Sequence, residues 1–328
     1  MDVVLDGQLR LSFQLTESIE VLRESAYGIT YAPQPLSIEN EVFIWQHPVM
    51  SSSGVSTQVI DMGEFEGEPV FFQSPDNQSF LPFDIFAMSF YLLSRYEEYQ
   101  PHRKDDYGRF PAAESIAFNN GFLHKPLVDI LILKFAQKLR GQFGDALFAE
   151  AKAQAAQPQY IATYDIDHAY AYLHKGFVRT AGALAREILR FDIKEVKRRI
   201  AVLTGKQKDP FDTYDLIERI EREYALSQSI FFILFTGISQ NDRGLNPKNK
   251  HFRQLIQRLR KTGKIACHPS FASSSSNDKL SDEISGLSGL LNESISVSRS
   301  HFLLLDFPET YQRYMANGIR TDFTMGYP

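Results

Sequence analysis

The chain has 328 residues, 43% of them hydrophobic and 23% charged, a composition that folds into globular domains and excludes a disordered chain. Length alone points to about two domains. Lys and Arg total 35 against 40 Asp and Glu, and the net charge of -5 argues against a surface built to hold phosphate backbones, so no nucleic-acid partner is expected.

The N-terminus, Met1-Asp2-Val3-Val4-Leu5-Asp6, has neither the basic nor the apolar region of a signal peptide. No run approaches the roughly eighteen apolar residues that span a bilayer. The single cysteine, Cys267, cannot form an internal disulfide. A cytoplasmic protein without a transmembrane segment is the expectation.

Residues 1–157 read as a smaller mixed α/β domain. Val42-Phe43-Ile44-Trp45 and Val70-Phe71-Phe72 are strand candidates between Pro, Gly and Ser punctuation. A helix is expected from Asp84 to Tyr99, with Ile85, Met88 and Leu92 on its apolar face, and a second from Pro126 to Leu139. Between them, Tyr96-Glu97-Glu98-Tyr99 and Asp105-Asp106-Tyr107-Gly108-Arg109-Phe110 read as surface and capping features. The small, polar stretch from Phe148 to Pro158 suits a connection between domains.

From residue 158 to 328 the pattern changes. Apolar runs at Tyr160–Ile166, Ile230–Phe235, Ile265–Cys267, Ile295–Val297 and Ile319–Phe323 alternate with helical stretches at Val178–Leu203, Thr213–Tyr224, Phe252–Leu259, Leu280–Leu291 and Pro308–Asn317. Such alternation implies a parallel α/β sheet with right-handed crossovers, and its chemistry gathers at the C-terminal ends of the strands. Ser273–Ser276 and Lys197-Arg198-Arg199 read as a solvated loop and a solvated helix face.

Four of these runs carry reactive residues at or near their ends: Asp165-Ile166-Asp167-His168, Cys267-His268, Ser298-Arg299-Ser300-His301, and Asp322. Residues two apart on an extended segment face one way, so Asp165 and Asp167 would repel unless a cation or a proton intervenes. They are a metal site, an acid/base pair, or caps of the following helix. Asp167, His268 and His301 would supply the mixed oxygen and imidazole donors that zinc and other divalent first-row metals prefer, with an open position for water.

Thr163-Tyr164-Asp165-Ile166-Asp167 resembles the first motif of the polysaccharide deacetylases, the NodB-homology or carbohydrate esterase family 4 fold. The resemblance covers the chain from Tyr160 onward and implies a deformed (β/α) barrel. It implies Asp165 as catalytic base, Asp167 as metal ligand, His268 as the first metal histidine, and Arg299, in Ile295-Ser296-Val297-Ser298-Arg299, as the cation that orients the base. Leu93-Ser94-Arg95-Tyr96-Glu97-Glu98-Tyr99 and Gly108-Arg109-Phe110 also resemble the domain that precedes such modules in some bacterial deacetylase-like proteins.

Two departures stand out. The family's second metal histidine falls at Ala272, and His301, placed by strand geometry where the pattern has a proline, is the substitute. The sequence stops at Met325-Gly326-Tyr327-Pro328, before the family's later motifs, so the barrel is expected to be incomplete. That leaves three readings: the sequence is a shortened form, another histidine replaces the general acid, or the reaction is not catalysed. His168 and His174 are candidate replacements, with surface positions the preferred reading of both. The expectation is a metal-dependent hydrolase that removes an N-acyl group, in the family an acetyl, from a carbohydrate or glycoconjugate. Its ion would be zinc, or else cobalt, nickel, iron or manganese. The alternative is a catalytically degenerate carbohydrate-binding or scaffold protein. An open strand edge would be covered by the first domain or in a homodimer.

Overall fold

In the computed structural model, which describes residues 2–5, 9–12, 15–25, 27–39, 41–144, 148–150, 160–226 and 229–327, contacts divide the chain in two. Met1–Arg103 with Pro111–Pro158 form unit 1, and Lys104–Phe110 with Gln159–Pro328 form unit 2. The connection read at Phe148–Pro158 opens as a short strand, and its remainder lies outside the described residues.

Short strands built around turns make up the sheets of unit 1. They are β1 (Asp2–Leu5), β2 (Leu9–Ser12), β3 (Gly28–Ala32), β4 (Glu41–Trp45), β5 (Gly63–Phe65), β6 (Glu68–Val70) and β7 (Phe148–Glu150). The helices are α1 (Ile19–Glu24), α2 (Ile85–Leu93), α3 (Ile116–Asn119) and α4 (Leu127–Phe143). β2 pairs antiparallel with β1 and β7, β3 runs parallel to β4, and β5 and β6 form a hairpin.

Asp84 caps α2 by accepting from the N–H groups of Phe86 and Ala87. The helix does not run to Tyr99 as expected, because Arg95 adopts a left-handed backbone and Tyr96–Tyr99 tightens into a 3-10 turn. That turn carries Glu97 and Glu98 inward, which corrects their reading as surface groups. Glu98 is buried against Arg95, and Glu97 accepts from the Ile116 N–H. The strand expected through Phe72 stops at Val70, since Phe72 has a φ of 60°.

Unit 2 alternates elements: β8 (Thr163–Ile166), α5 (Phe177–Leu189), α6 (Ile193–Leu203), α7 (Tyr214–Glu223), β9 (Ile230–Ile233), α8 (Lys250–Leu259), β10 (Lys264–Cys267), α9 (Asn277–Leu291), β11 (Val297–Ser298), α10 (Glu309–Ala316) and β12 (Thr321–Asp322). The strands form one parallel sheet whose spatial order follows the chain. Strand order therefore never reverses, and the crevice of a doubly wound sheet does not arise. Among the described residues the sheet keeps two edges, β8 and β12.

The pleat sorts side chains into two sets. Ile166, Phe231, Ile233, Ile265 and Cys267 pack with Phe252 and Leu255 of α8 and Leu280 and Leu287 of α9. On the other face Ile230, Phe232, Ala266 and Val297 pack together with Phe323. That second face is concave. Three strand spacings, about 14 Å on a flat sheet, separate β8 from β11, yet Arg299 beyond β11 donates to Asp165 on β8 at 2.9 Å.

Four expectations are corrected in unit 2. The helix read over Val178–Leu203 is two, broken where Phe191 turns left-handed and Asp192 caps α6. Arg199 is not on a solvated face but is buried against Glu187, tying α6 to α5. In the serine run Ser273 is buried and Ser276 caps α9, so it is not simply a solvated loop. Lys104–Phe110, which the sequence reading leaves in the first domain as surface, packs instead with unit 2. Lys104 pairs with Asp306 at 2.8 Å, and Arg109 donates to the Phe302 carbonyl at 2.9 Å.

Candidate metal centre

Following the concave face past each apolar position at steps of two residues leads to the chemistry. On β8, Thr163 is followed by Asp165 and then Asp167. On β10, Ala266 is followed by His268. On β11, Val297 is followed by Arg299 and then His301. Asp167, His268 and His301 thereby offer ligand atoms that all lie within 4.8 Å of one another. His268 Nε2 is 3.1 Å from Asp167 Oδ1, and His301 Nε2 is 3.7 Å from Oδ2.

Hydrogen bonding fixes which ring nitrogens are free. His268 Nδ1 meets the Arg299 carbonyl, which can only accept, so Nδ1 carries a proton. His301 Nδ1 lies 3.0 Å from the buried Asp242 carboxylate and donates to it. In neutral imidazoles both Nε2 lone pairs then point at the Asp167 carboxylate, an arrangement that needs a cation or added protons between them. Asp167 Oδ1 is buried and has no hydrogen-bond partner. Burial opposes ionisation of Asp167, and its carboxyl falls below the ordinary range only where His268 is protonated at Nε2 as well and donates to it, with the charges of His301 and His168 adding to the effect. With neutral imidazoles Oδ1 keeps no donor. An orphaned carboxylate oxygen facing two prepared imidazoles fits a divalent ion of the zinc type.

Beside this cluster Asp165 is held by Arg299, whose Nη1 donates to Oδ1 at 2.9 Å. Arg299 is itself fixed by Thr163 Oγ1 at 3.2 Å and lies 4.4 Å over the Phe232 ring. A guanidinium pinned on three sides orients the carboxylate with little freedom to swing. Asp322 is spent structurally, accepting from Ser298, the Thr324 hydroxyl and the Thr324 N–H. His168 is exposed, and His174 stacks on His251 at 3.8 Å, away from the three ligand candidates.

Sequence reasoning missed Asp242. It accepts from His301, from Ser239 Oγ at 2.7 Å, and from the N–H groups of Phe271 and Ala272. Burial pushes its pKa up, but the bonds from His301, Ser239, Phe271 and Ala272 prevail and hold it at about 2. Only the local Ser239-x-x-Asp242 spacing hints at a structured turn, and nothing in it points to His301, 59 residues on. Ala272, at the position of the missing family histidine, thus contributes its backbone N–H to the support of His301.

Among the described residues no helix is long and apolar enough to cross a membrane. Residues 1–144 match a family of unknown function, DUF7033. No curated protein matches the chain, and no solved structure does.

Proposed function

We propose that unit 2 is a divalent-metal-dependent hydrolase of the polysaccharide-deacetylase type, removing an N-acyl group from a sugar. What supports this reading above all is the convergence of Asp167, His268 and His301, with both histidines prepared to coordinate through Nε2. An ion bound there would act as a Lewis acid and lower the pKa of coordinated water.

The residues divide the remaining work. Asp165 is the general base. Arg299 occupies its Oδ1, which leaves Oδ2 to take a proton from the attacking water. Arg299 holds that carboxylate in register, and Asp242 keeps His301 turned so that Nε2 faces the cluster. The curved parallel sheet, with its site at the C-terminal strand ends, agrees with a NodB-type barrel.

Metal analysis of the full-length protein, paired with deacetylation assays on N-acetylated amino-sugar oligomers with added zinc or cobalt, tests the reading. Zinc stoichiometry should collapse when Asp167, His268 and His301 are all replaced by Ala, and Asp165→Asn should keep zinc but lose at least a hundredfold in turnover. Unchanged zinc content in the triple variant would falsify the assignment. Glycan binding without turnover in the zinc-loaded wild type would instead identify a binding module.

A further inference from the structure

A cavity of about 630 Å³ in unit 2 is walled by five cations, Lys175, Arg179, Arg186, Arg199 and Arg243, with the His168 imidazole beside them. No Asp or Glu lines it. In a chain of net charge -5 such a concentration of one sign is a local feature, not a reflection of composition.

Most of that charge is uncompensated. Arg199 is neutralised by Glu187. Arg179 uses two of its five N–H donors, one each on Nη1 and Nη2, on the carbonyls of Gly244 and Arg243, which bear no formal charge. Among the described residues Lys175, Arg179, Arg186 and Arg243 form no ion pair. Asp209, the acid whose charge acts on Lys175, already accepts from the N–H groups of Ala171, Tyr172, Leu173 and Phe211. Desolvation first, and the charge of Arg179 next, push the Lys175 ammonium down to about 8 against a smaller opposing pull from Asp209.

The shape is also prepared. Arg179 and Arg186 project from one face of α5, two turns apart, and Thr180, Gly182 and Ala183 between them leave the floor open. Two threads join the cavity to the metal centre. His168 follows Asp167 in the chain, and Ser239 in the cavity wall donates to Asp242, the partner of His301.

We propose that this cavity binds a phosphate or diphosphate group, the anionic end of a phosphorylated acyl-sugar whose acyl group reaches the metal centre. Forked guanidiniums and an ammonium match tetrahedral phosphate oxygens. The volume exceeds what one phosphate fills, so a diphosphate or the adjoining sugar has room. The anion site stands on this cavity alone, whereas its role in substrate recognition rests on the hydrolase reading.

The two are separable by experiment. Inorganic pyrophosphate is titrated calorimetrically into the full-length protein in EDTA, where no metal contributes. Wild type should bind, and Arg243→Glu and Arg186→Glu, both at exposed positions that do not threaten folding, should each weaken binding at least tenfold. Lys175→Met, which keeps the buried stem, should do the same. Equal binding in wild type and all three variants overturns the site. In zinc-loaded protein, N-acetylglucosamine 1-phosphate should then show a KM at least tenfold below that of N-acetylglucosamine, an advantage lost in Arg243→Glu. Pyrophosphate binding without that advantage would leave the anion site intact, assign it to free phosphate, and overturn its part in substrate recognition.

Discussion

Each unit carries an aspartate beside a histidine, and the two are used in opposite ways. In unit 1, Asp84 is fully buried and each oxygen is taken twice: Oδ2 by the Tyr31 hydroxyl at 2.8 Å and the His47 N–H at 2.7 Å, Oδ1 by the N–H groups of Phe86 and Ala87 at 2.9 Å each. The His47 ring stacks on Phe72 and spends Nδ1 on the Val49 N–H. In unit 2, Asp167 keeps a buried oxygen with no donor, and the imidazoles facing it have their protons committed elsewhere. A buried Asp near a His is therefore not in itself a site. What distinguishes the two is whether hydrogen bonding is complete, because a saturated carboxylate is a structural knot and an unsaturated one is an invitation to a cation.

The largest effect should come from breaking this contrast directly. Asp84→Ala strands four donors, two of them in the first turn of α2, and should cost on the order of 4 kcal/mol in urea unfolding. Asp167→Ala, measured without metal, should stay within about 1 kcal/mol of wild type, since it removes an oxygen that has no partner to lose. Zinc should raise the melting temperature of wild type and not of Asp167→Ala. Equal destabilisation by the two substitutions would mean that Asp167 is a structural knot after all.

Protonation sharpens the comparison at the next level. Burial pushes Glu98 in unit 1 up to about 7 against the opposing pull of Arg95, while Asp242 in unit 2 is held at about 2. For Glu98 the folded value exceeds the unfolded 4.5, so between these values the native state holds a proton that the unfolded state releases. Stability should therefore fall as pH rises through that window, by up to about 3 kcal/mol, with the cost complete above about 7. Asp242 has the reverse sign: its contribution is complete above the unfolded value and is lost as pH falls towards about 2. Urea unfolding at about pH 5 and about pH 8 checks the first statement. Glu98→Gln should flatten the difference, and a wild type more stable at the higher pH would refute it.

How much of this could be read beforehand follows the range of the interactions. The alternation of runs and helices after residue 158 carries the parallel sheet, and the period of two carries Asp165, Asp167, His268 and Arg299 to the concave face, because both are local regularities. Asp84 as the start of α2 is local too. The failures are long-range or hinge on a single residue. Glu98 is drawn inward by the left-handed Arg95, Arg199 is buried by a partner in another helix, and Asp242 sits in irregular chain after β9. Helical periodicity shows which face can be apolar, but not which arginine on the polar face will meet a glutamate from its neighbour. The segment Lys104–Phe110 was hidden for the same reason: its partners, Phe302 and Asp306, lie about two hundred residues on.

That segment supplies the smallest test. Phe302 and Leu303, directly after His301, have φ values of 61° and 53°, a backbone that costs an L-residue about 1 kcal/mol or more each. The strain is held from outside by Arg109, which donates to the Phe302 carbonyl while Asp105 fixes its Nε at 2.8 Å, and by the Tyr107 ring 4.9 Å from Phe302. Arg109→Met keeps the stem and removes the donor. Because the freed carbonyl is only half-buried and water can reach it, the loss of stability should be about 1 kcal/mol. Any relaxation of the strained pair is transmitted to its neighbour, so zinc affinity should weaken by a few-fold through a less well-aimed His301, while Asp84 and its unit unfold as before. A zinc affinity unchanged in Arg109→Met, alongside the expected fall in stability, would show that Asp242 alone fixes the imidazole and that the Arg109 tie serves the chain path and not the site.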